Sequence, residues 1–496
     1  MSLSASLSIA TSGLNATQYA LSVASQNVAN AGTSGYVAET ANVRSRDTNG
    51  VGSGVSAGPT TLAGNEALQN AVWTQNATTS ALSAQNSALS AITSLQGSTS
   101  ADSGSSGTLS DQLGNVQSAL VSLTSMPGNS AAQTTVVANA GNLATTIHNL
   151  ASGYQTQRQN AQDAVASSVS SINTNLTTIG ALSTQIMKLQ VQGLSTADLE
   201  NQRNTAVSDL SGQLSIKTQI SANGDMMVRT SGGLVLPTHN TADQVSDAWP
   251  LQTSEATVTA ANAYPGTDSS NSLPGITLGN HDVTSQMQGG TLGGNIALRD
   301  SILPKMQAQL DSFSYSLATR FQAQGMDLFA GSGGKIPPSS ANRTTPNGIV
   351  GFAQDIQVNS TISANPAQLV GNAKADTTIV RNVLNNGFGA TDPADQSSNG
   401  LGINGNLSIS YDGSQGLVAL ATSLTSDQAN IANSVSSNLS VAQTTQTSLG
   451  SKLSSATGVS VDNEMSNIVA LQNAYTANAK VVSAVRSMFQ ALLDAV

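Results

Sequence analysis

Apolar residues at the start of the chain recur at alternating intervals of four and three. Leu3, Leu7, Ala10, Leu14, Thr17, Leu21, Ala24 and Val28 form this series. The spacing places them on one narrow stripe of a helix, the seam geometry of a coiled coil. The run Asn30-Ala31-Gly32-Thr33-Ser34-Gly35 then ends the helix with residues that tolerate turns. The last segment repeats the pattern with Met465, Ile468, Leu471, Tyr475, Val482, Val485, Phe489, Leu492 and Val496, and Asn478 falls at one seam position. Helices over 3–28 and 461–496 would be ~39 Å and ~54 Å long at ~1.5 Å per residue. Two such stripes pair with each other or with neighbouring chains. An ordinary helical core closed by its two termini accounts for the same spacing.

Between the ends, Leu68, Val72, Leu82, Leu89 and Ile92 predict a helix over 62–96, followed by a Ser/Gly-rich break at 97–107. A helix over 109–125 stops at Met126-Pro127-Gly128-Asn129. Residues 131–210 read as one or two long helices. Val165, Val169, Ile172, Leu176, Ile179, Leu182, Ile186 and Leu189 mark the apolar side, and Gly193-Leu194-Ser195 makes a short break. Near 212 the period changes to two. Leu214, Ile216, Thr218 and Ile220 predict a strand, Asn223-Gly224 a tight turn, and Met226–Thr230 the returning strand.

Prolines punctuate 237–290, which reads as loops and short strands. Helix returns over 295–330. The stretch 331–349 reads as an exposed loop, the alternation of Leu407, Ile409 and Tyr411 as a second β-leaning stretch, and 414–455 as helix. The order of elements predicts a mainly α chain with inserted β. The expected architecture is an elongated multi-domain rod. The expected domains are a terminal coiled-coil assembly domain from 1–58 and 456–496, a helical rod domain from 59–211, 288–330 and 414–455, and β-rich inserted outer material at 212–287 and 331–413.

Composition narrows the function. Charged residues make up 9 % of the 496, against ~25 % in ordinary soluble domains. Seventeen Lys and Arg against 27 Asp and Glu give a net charge of −10, which excludes an electrostatic nucleic-acid binder. The absence of cysteine excludes a disulfide scaffold, a thiolate nucleophile and a zinc ribbon. No stretch approaches the ~18 uninterrupted apolar residues of a membrane span. The first charged residue is Glu39 and the first basic one Arg44, so the opening lacks the basic n-region of a secretory signal. Cytoplasmic residence or export by another route follows.

No catalytic, cofactor-binding or metal-binding residues are predicted. His148, His239 and His281 have no metal-type spacing, and each reads as a surface or loop histidine. Gly331-Ser332-Gly333-Gly334-Lys335 lacks the phosphate-loop frame, and Ile336 stands at its Ser/Thr position. Gly289–Gly294 reads as a helix-opening turn rather than a dinucleotide fingerprint. Asp462 and Glu464 suit the dipole at the start of the last helix, worth ~0.3–1 kcal/mol each. Met226-Met227 reads as a strand pair with one side in the core, and Trp73 and Trp249 as anchors of local clusters.

The two ends together resemble the flagellar rod–hook–filament axial family. The carrying residues are Ser25-Gln26-Asn27-Val28-Ala29-Asn30-Ala31-Gly32-Thr33-Ser34-Gly35-Tyr36, Gly458-Val459-Ser460-Val461-Asp462-Asn463-Glu464-Met465, and the run Leu471–Val482. Ser34 stands where the family often has Pro, and Asn463 where an acidic residue is common. Residues 154–210 and Gly290–Asp300 are similar to the hook-associated protein 1 branch. The resemblance covers roughly 1–90, 140–235, 288–330 and 414–496.

It implies a structural junction protein without catalytic activity, placed as an adaptor at the distal end of the hook. The implied partners are the hook protein below, the second junction protein above, copies of itself in a ring, and a cytoplasmic export chaperone at 460–496. It implies no nucleic acid, no membrane insertion and no cofactor. It also implies export through the flagellar type III apparatus to the extracellular flagellum. The implied assembly interface comprises Leu3, Leu7, Leu14, Leu21, Asn27, Val28, Asn30, Gly35 and Tyr36 with Met465, Ile468, Leu471, Tyr475, Asn478, Val482, Val485, Phe489 and Leu492. Pairing of the ends is expected to be weak in a monomer and completed by lateral neighbours.

Three other functions meet obstacles in the sequence. A hook or distal rod protein conflicts with the strand-free reading of 154–210. A wall-degrading enzyme at 237–413 lacks a His/Glu/Asp constellation. A surface adhesin in the inserted stretches leaves no readable motif.

Overall fold

A computed structural model describes residues 3–33, 35–48, 50–97, 107–239, 250–266, 271–338, 349–370, 376–391 and 400–494. Ser34, Trp249, Val496, most of the Ser/Gly break and the second half of the 331–349 loop lie outside the described residues. The molecule is mainly α with small inserted sheets.

The chain opens with α1 (Leu3–Asn30), which is followed by two antiparallel strand pairs. β1 (Glu39–Thr40) pairs with β4 (Thr61–Leu62), and β2 (Val43–Thr48) with β3 (Val51–Ala57). This hairpin lies along α1. The Val55 N–H donates to Ser12 Oγ at 3.1 Å, and the Tyr19 hydroxyl donates to the Gly58 carbonyl at 2.7 Å. Gly54 sits at φ +109°, and a Cβ there would come within 2.2 Å of Ser12 Oγ.

The body is built on long helices. α2 (Glu66–Leu95) starts with the Leu68 N–H donating to Asn65 Oδ1. α3 (Leu109–Ser125) opens with a reciprocal Thr108–Asp111 capping box. α4 (Ser130–Val191) has 62 residues and is about 93 Å long at 1.5 Å per residue. A turn through Gly193 at φ +68° leads to α5 (Ala197–Gln213). α6 (Gly290–Ala297) and α7 (Leu303–Ala323) are joined by a π turn at Leu298–Ile302. α11 (Leu417–Thr457) returns beside α2, and α12 (Val461–Leu493) closes the chain. The expected helix over 295–330 thus begins earlier, at Gly290. The glycine run forms the opening turns of α6 and lets it pack closely on α2, where a Cβ on Gly294 would meet the Ala81 backbone at 2.6 Å.

Two apolar cores share α4. The first gathers Leu120 of α3, Leu143 and Ile147 of α4, Phe313 and Phe321 of α7, and Leu417 and Leu424 of α11. The second gathers Trp73, the α4 stripe Val165–Ile179, Val207 and Leu210 of α5, and Leu292 of α6. A three-stranded antiparallel sheet, β5 (Ile216–Ile220), β6 (Met226–Thr230) and β7 (Val235–Leu236), adds Ile216, Met226 and Val228 to that second core. Met227 beside Met226 is only half-buried. β8 (Thr277–Leu278) pairs with β9 (His281–Asp282) in the following loops.

The stretch 331–413 corrects the sequence reading. β10 (Phe329–Ala330) and β11 (Gln357–Val358) form one two-residue pair. Around it lie the short helices α8 (Phe352–Asp355), α9 (Ser360–Ala364) and α10 (Thr378–Asn382). Leu407, Ile409 and Tyr411 do alternate half-buried with exposed neighbours. A strand also needs a neighbouring backbone, and here there is only an isolated bridge from Leu401 to Leu407. Among the described residues neither inserted stretch has a core of its own. Leu251 and Ile276 join the second core, and Phe352, Leu369 and Val383 join the first.

Buried arginines peg these stretches to the helices. Arg158 donates to the carbonyls of Arg299, Thr259 and Asn262 at 2.8, 3.0 and 2.6 Å. Arg299 donates through Nη1 to Gln162 Oε1 and the Pro274 carbonyl, and through Nε and Nη2 to Asp300. Arg320 reaches the carbonyls of Gly389, Gly413 and Gln415. Burial lowers Arg158 to about 10.

Candidate assembly interface

The terminal stripes are paired. α1 and α12 run antiparallel: Asn27 Nδ2 donates to Glu464 Oε1 at 2.8 Å, and a Cβ on Gly13 would meet the Asn478 side-chain amide at 3.1 Å. Asn27 and Gly13 are fourteen residues apart, as are Glu464 and Asn478, so one register covers the whole pair. Along α1, Ala10, Thr17 and Ala24 are buried, whereas Leu3, Leu7, Leu14, Leu21 and Val28 are half-buried. Along α12, Val485 is buried, and Ile468, Leu471, Tyr475, Asn478, Val482 and Phe489 are half-buried. Two helices cannot enclose a shared stripe. Fully burying a Leu is worth ~1.5–3 kcal/mol, so a half-buried one contributes about 1 kcal/mol.

Two seam assignments are corrected. Met465 is 49 % exposed, because Glu464 takes the seam position and is held there by Asn27. Leu492 continues the stripe but is 58 % exposed. In the observed register the residue opposite it would precede the first residue of α1.

A second face of α1 holds the turn that follows it. Asn27 is fully buried, and its amide grips the backbone of residue 39. The Glu39 N–H donates to Asn27 Oδ1 at 2.9 Å, and Asn27 Nδ2 donates to the Glu39 carbonyl at 2.8 Å. The Tyr36 hydroxyl donates to the same Oδ1 at 3.2 Å. Burial, with Glu39 and Asp198 nearby, raises the Tyr36 phenol to about 12. Asn201 on α5 grips Val37 in the same way, at 3.0 and 3.1 Å. The Asn27 side chain is therefore spent within the chain. Asn30 Nδ2 donates to the Gln26 carbonyl, one turn back. Gly35 is exposed at φ +78°, and that backbone angle, not crowding, favours glycine.

Sequence reasoning missed Asn201 and the pegging role of the arginines. The available signal was a polar or basic residue on an otherwise apolar helical stripe. Among polar neighbours such as Asn473, Lys480 and Arg486, the terminal pair presents apolar side chains outward: Met465 and Val469 on one flank of α12, Val481 and Met488 on the other, with exposures between 46 % and 53 %.

Elsewhere, no group of three or more His, Asp or Glu that could hold a metal occurs among the described residues. No described helix is long and apolar enough to cross a membrane. His239 meets Asp225 at 2.9 Å, and His281 is exposed on β9.

Comparison with known proteins matches three family models. Residues 98–336 match the flagellar hook-associated protein FlgK helical domain. Residues 453–495 match the flagellar basal body rod FlgEFG protein C-terminal family, and 7–36 match the flagella basal body rod protein family. Flagellar hook-associated protein 1 of Salmonella typhimurium is 24 % identical over 409 residues, covering 79 % of this chain and 70 % of that one. The Salmonella typhi protein of the same name gives the same figures. The solved flagellar hook junction protein FlgK from Burkholderia pseudomallei is 25 % identical with a TM-score of 0.41, over 55 % of this chain. This chain covers 46 % of that structure, less than half its length. The chain is thus similar in mid-chain to the hook-associated FlgK helical domain and at its two ends to the rod-type families, and over 79 % of its length to flagellar hook-associated protein 1.

Proposed function

We propose that this chain is a structural adaptor joining the flagellar hook to the filament, with no catalytic role. The family is a structural one of the extracellular flagellum. The observation that carries the reading is the terminal helix pair. Its seam is closed on one line only, and both flanks of α12 carry exposed Met and Val side chains. Such a pair gains stability from lateral neighbours, and heterologous contacts repeated about an axis generate rings. On this reading copies of the chain form a ring, with the hook protein below and the second junction protein above. Leu3, Leu7, Leu14, Leu21 and the α12 seam hold the pair together, and Met465, Val469, Val481 and Met488 meet the neighbours. The domain division that follows is a terminal assembly unit, 1–58 with 456–496, on a helical body that absorbs both insertions. Export would pass through the flagellar type III apparatus, with a chaperone holding 460–496 beforehand.

The test is deletion of the gene with electron microscopy of the cell surface. Hooks without filaments, with filament protein in the medium, are expected. Missing hooks would reassign the chain to the rod or hook, and normal filaments would refute the adaptor role. Removing 461–496 is expected to leave the body folded and abolish incorporation.

A further inference from the structure

The terminal pair is tied to the body mainly through a short strap, residues 36–39, held from three sides. Asn27 of α1 grips Glu39, Asn201 of α5 grips Val37, and the Ala38 N–H donates to the carbonyl of Thr457 at the end of α11 at 2.8 Å. Beside the strap lies an open cleft of ≈ 680 Å³ between the two parts, lined by Thr33, Tyr36, Val37, Trp73, Ser208 and Leu453. The parts therefore meet along a line rather than over a packed face.

The side chain on that line is a carboxyl. Glu39 is 7 % exposed, and its Oε1 is buried with no hydrogen-bond partner. It faces Asp198 and Glu200 in the first turn of α5, Tyr36 of the strap and Tyr19 of α1. Glu464 of α12 approaches through Asn27, which it shares with Glu39. None of these groups is a cation. Arg203, further along α5, gives its Nη1 to the Gly224 carbonyl and Ser183 Oγ. Burial with an unpartnered oxygen and no cation beside it disfavours the ionised form of Glu39.

We infer that the strap is a proton-controlled joint, in which the terminal pair stays locked to the body while the buried Glu39 carboxyl is neutral and comes loose when it is ionised. Burial first, then the Asp198 charge, pushes Glu39 up to about 7. A raised acid favours the locked form below its ordinary range, and that preference is lost as pH rises through about 7. The shift corresponds to a change on the order of a hundredfold in the locking equilibrium.

The chain has no cysteine, so Ser466→Cys on α12 and Gln202→Cys on α5, both exposed, can carry a pair of spin labels on the full-length protein. One narrow distance distribution is expected at about pH 5, and a second, broader population at about pH 8. Glu39→Gln should hold the narrow distribution at both. Asn201→Ala should broaden it already at low pH, because it removes the clamp without touching the carboxyls. An unchanged distribution between the two pH values, or a pH response that survives Glu39→Gln, overturns the joint. If Glu39→Gln fails to fold by circular dichroism, Glu39→Met replaces it with the same two outcomes.

Discussion

The body and the terminal pair use the same short, weakly charged residues to different ends. In the body, Leu113, Leu120, Leu143, Ile147 and Leu310 are fully enclosed by several helices, and Gln428 enters among them with its hydrogen bonds made. Gln428 accepts from the Tyr154 hydroxyl at 2.7 Å and donates to Gln309 Oε1 at 3.1 Å. In the terminal pair almost every large seam residue stays half-exposed, and the fully buried ones are the small Ala10, Thr17 and Ala24, with Val485 the exception. Stability lives in the first region. The second holds its register through Gly13–Asn478 and Asn27–Glu464 while leaving apolar area for something else. A composition with only 9 % charged residues suits both, because few solvated charges stand on a surface that has to be covered.

The sharpest break of this contrast is backbone crowding in the body. A Cβ on Gly180 would lie 1.8 Å from the Thr238 carbonyl oxygen, where the chain leaving β7 crosses α4. Gly180→Val is expected to cost more than about 4 kcal/mol, read as loss of the cooperative denaturation transition at ordinary temperature. Nothing in the terminal pair is this tight, since the amide of Asn478 can give way before Gly13→Ala.

Next in size is truncation of a core residue. Leu120 is fully buried between helices, so Leu120→Ala should cost about 2–5 kcal/mol in denaturant titration. Leu14→Ala in the seam should cost about 1 kcal/mol or less in the isolated chain. Equal losses at the two sites would remove the distinction between regions.

A pH titration separates the regions again. Asp311 of α7 is buried and accepts from the N–H groups of Gly351 and Ala353, each at 2.9 Å, and from Gln307. These bonds favour the carboxylate, but burial outweighs them and raises it to about 7. The folded form therefore prefers the neutral acid. Its contribution is fully present below the ordinary Asp range and is lost as pH rises through about 7. Body stability should fall across that interval, and Asp311→Asn should flatten the fall. A flat wild-type profile would contradict it.

How much of this was legible depends on where each residue's partner lies. The terminal stripes could be read because their partners repeat with the helix period, and the register then slipped by one at Met465. Hydrophobicity favours Met465 over Glu464, and only the Asn27 amide, 437 residues away in sequence, makes the carboxylate a seam residue. The strand pair 216–230 was readable because alternation and an Asn-Gly turn are local. The arginine pegs were not, since Arg158 and Arg320 bind loop carbonyls that carry no side-chain signature. Residues 331–413 were misread because alternation reports one face against a core and says nothing of a second strand.

The smallest effect on the isolated chain is the most telling about the terminal pair. Met465 and Met488 are about half-exposed on opposite flanks of α12 and face away from α1. Met465→Ser and Met488→Ser together should change monomer stability by less than about 0.5 kcal/mol, as surface substitutions do. If lateral neighbours cover those flanks, the loss appears only on assembly. Each Met would then withhold the ~1.5–3 kcal/mol of a fully buried side chain, repeated at every contact around a ring. Cells carrying the double variant should then bear hooks with few filaments while the purified protein denatures as wild type. Normal filaments would place the neighbours elsewhere, and a destabilised monomer would mean that the flanks already pack within the chain.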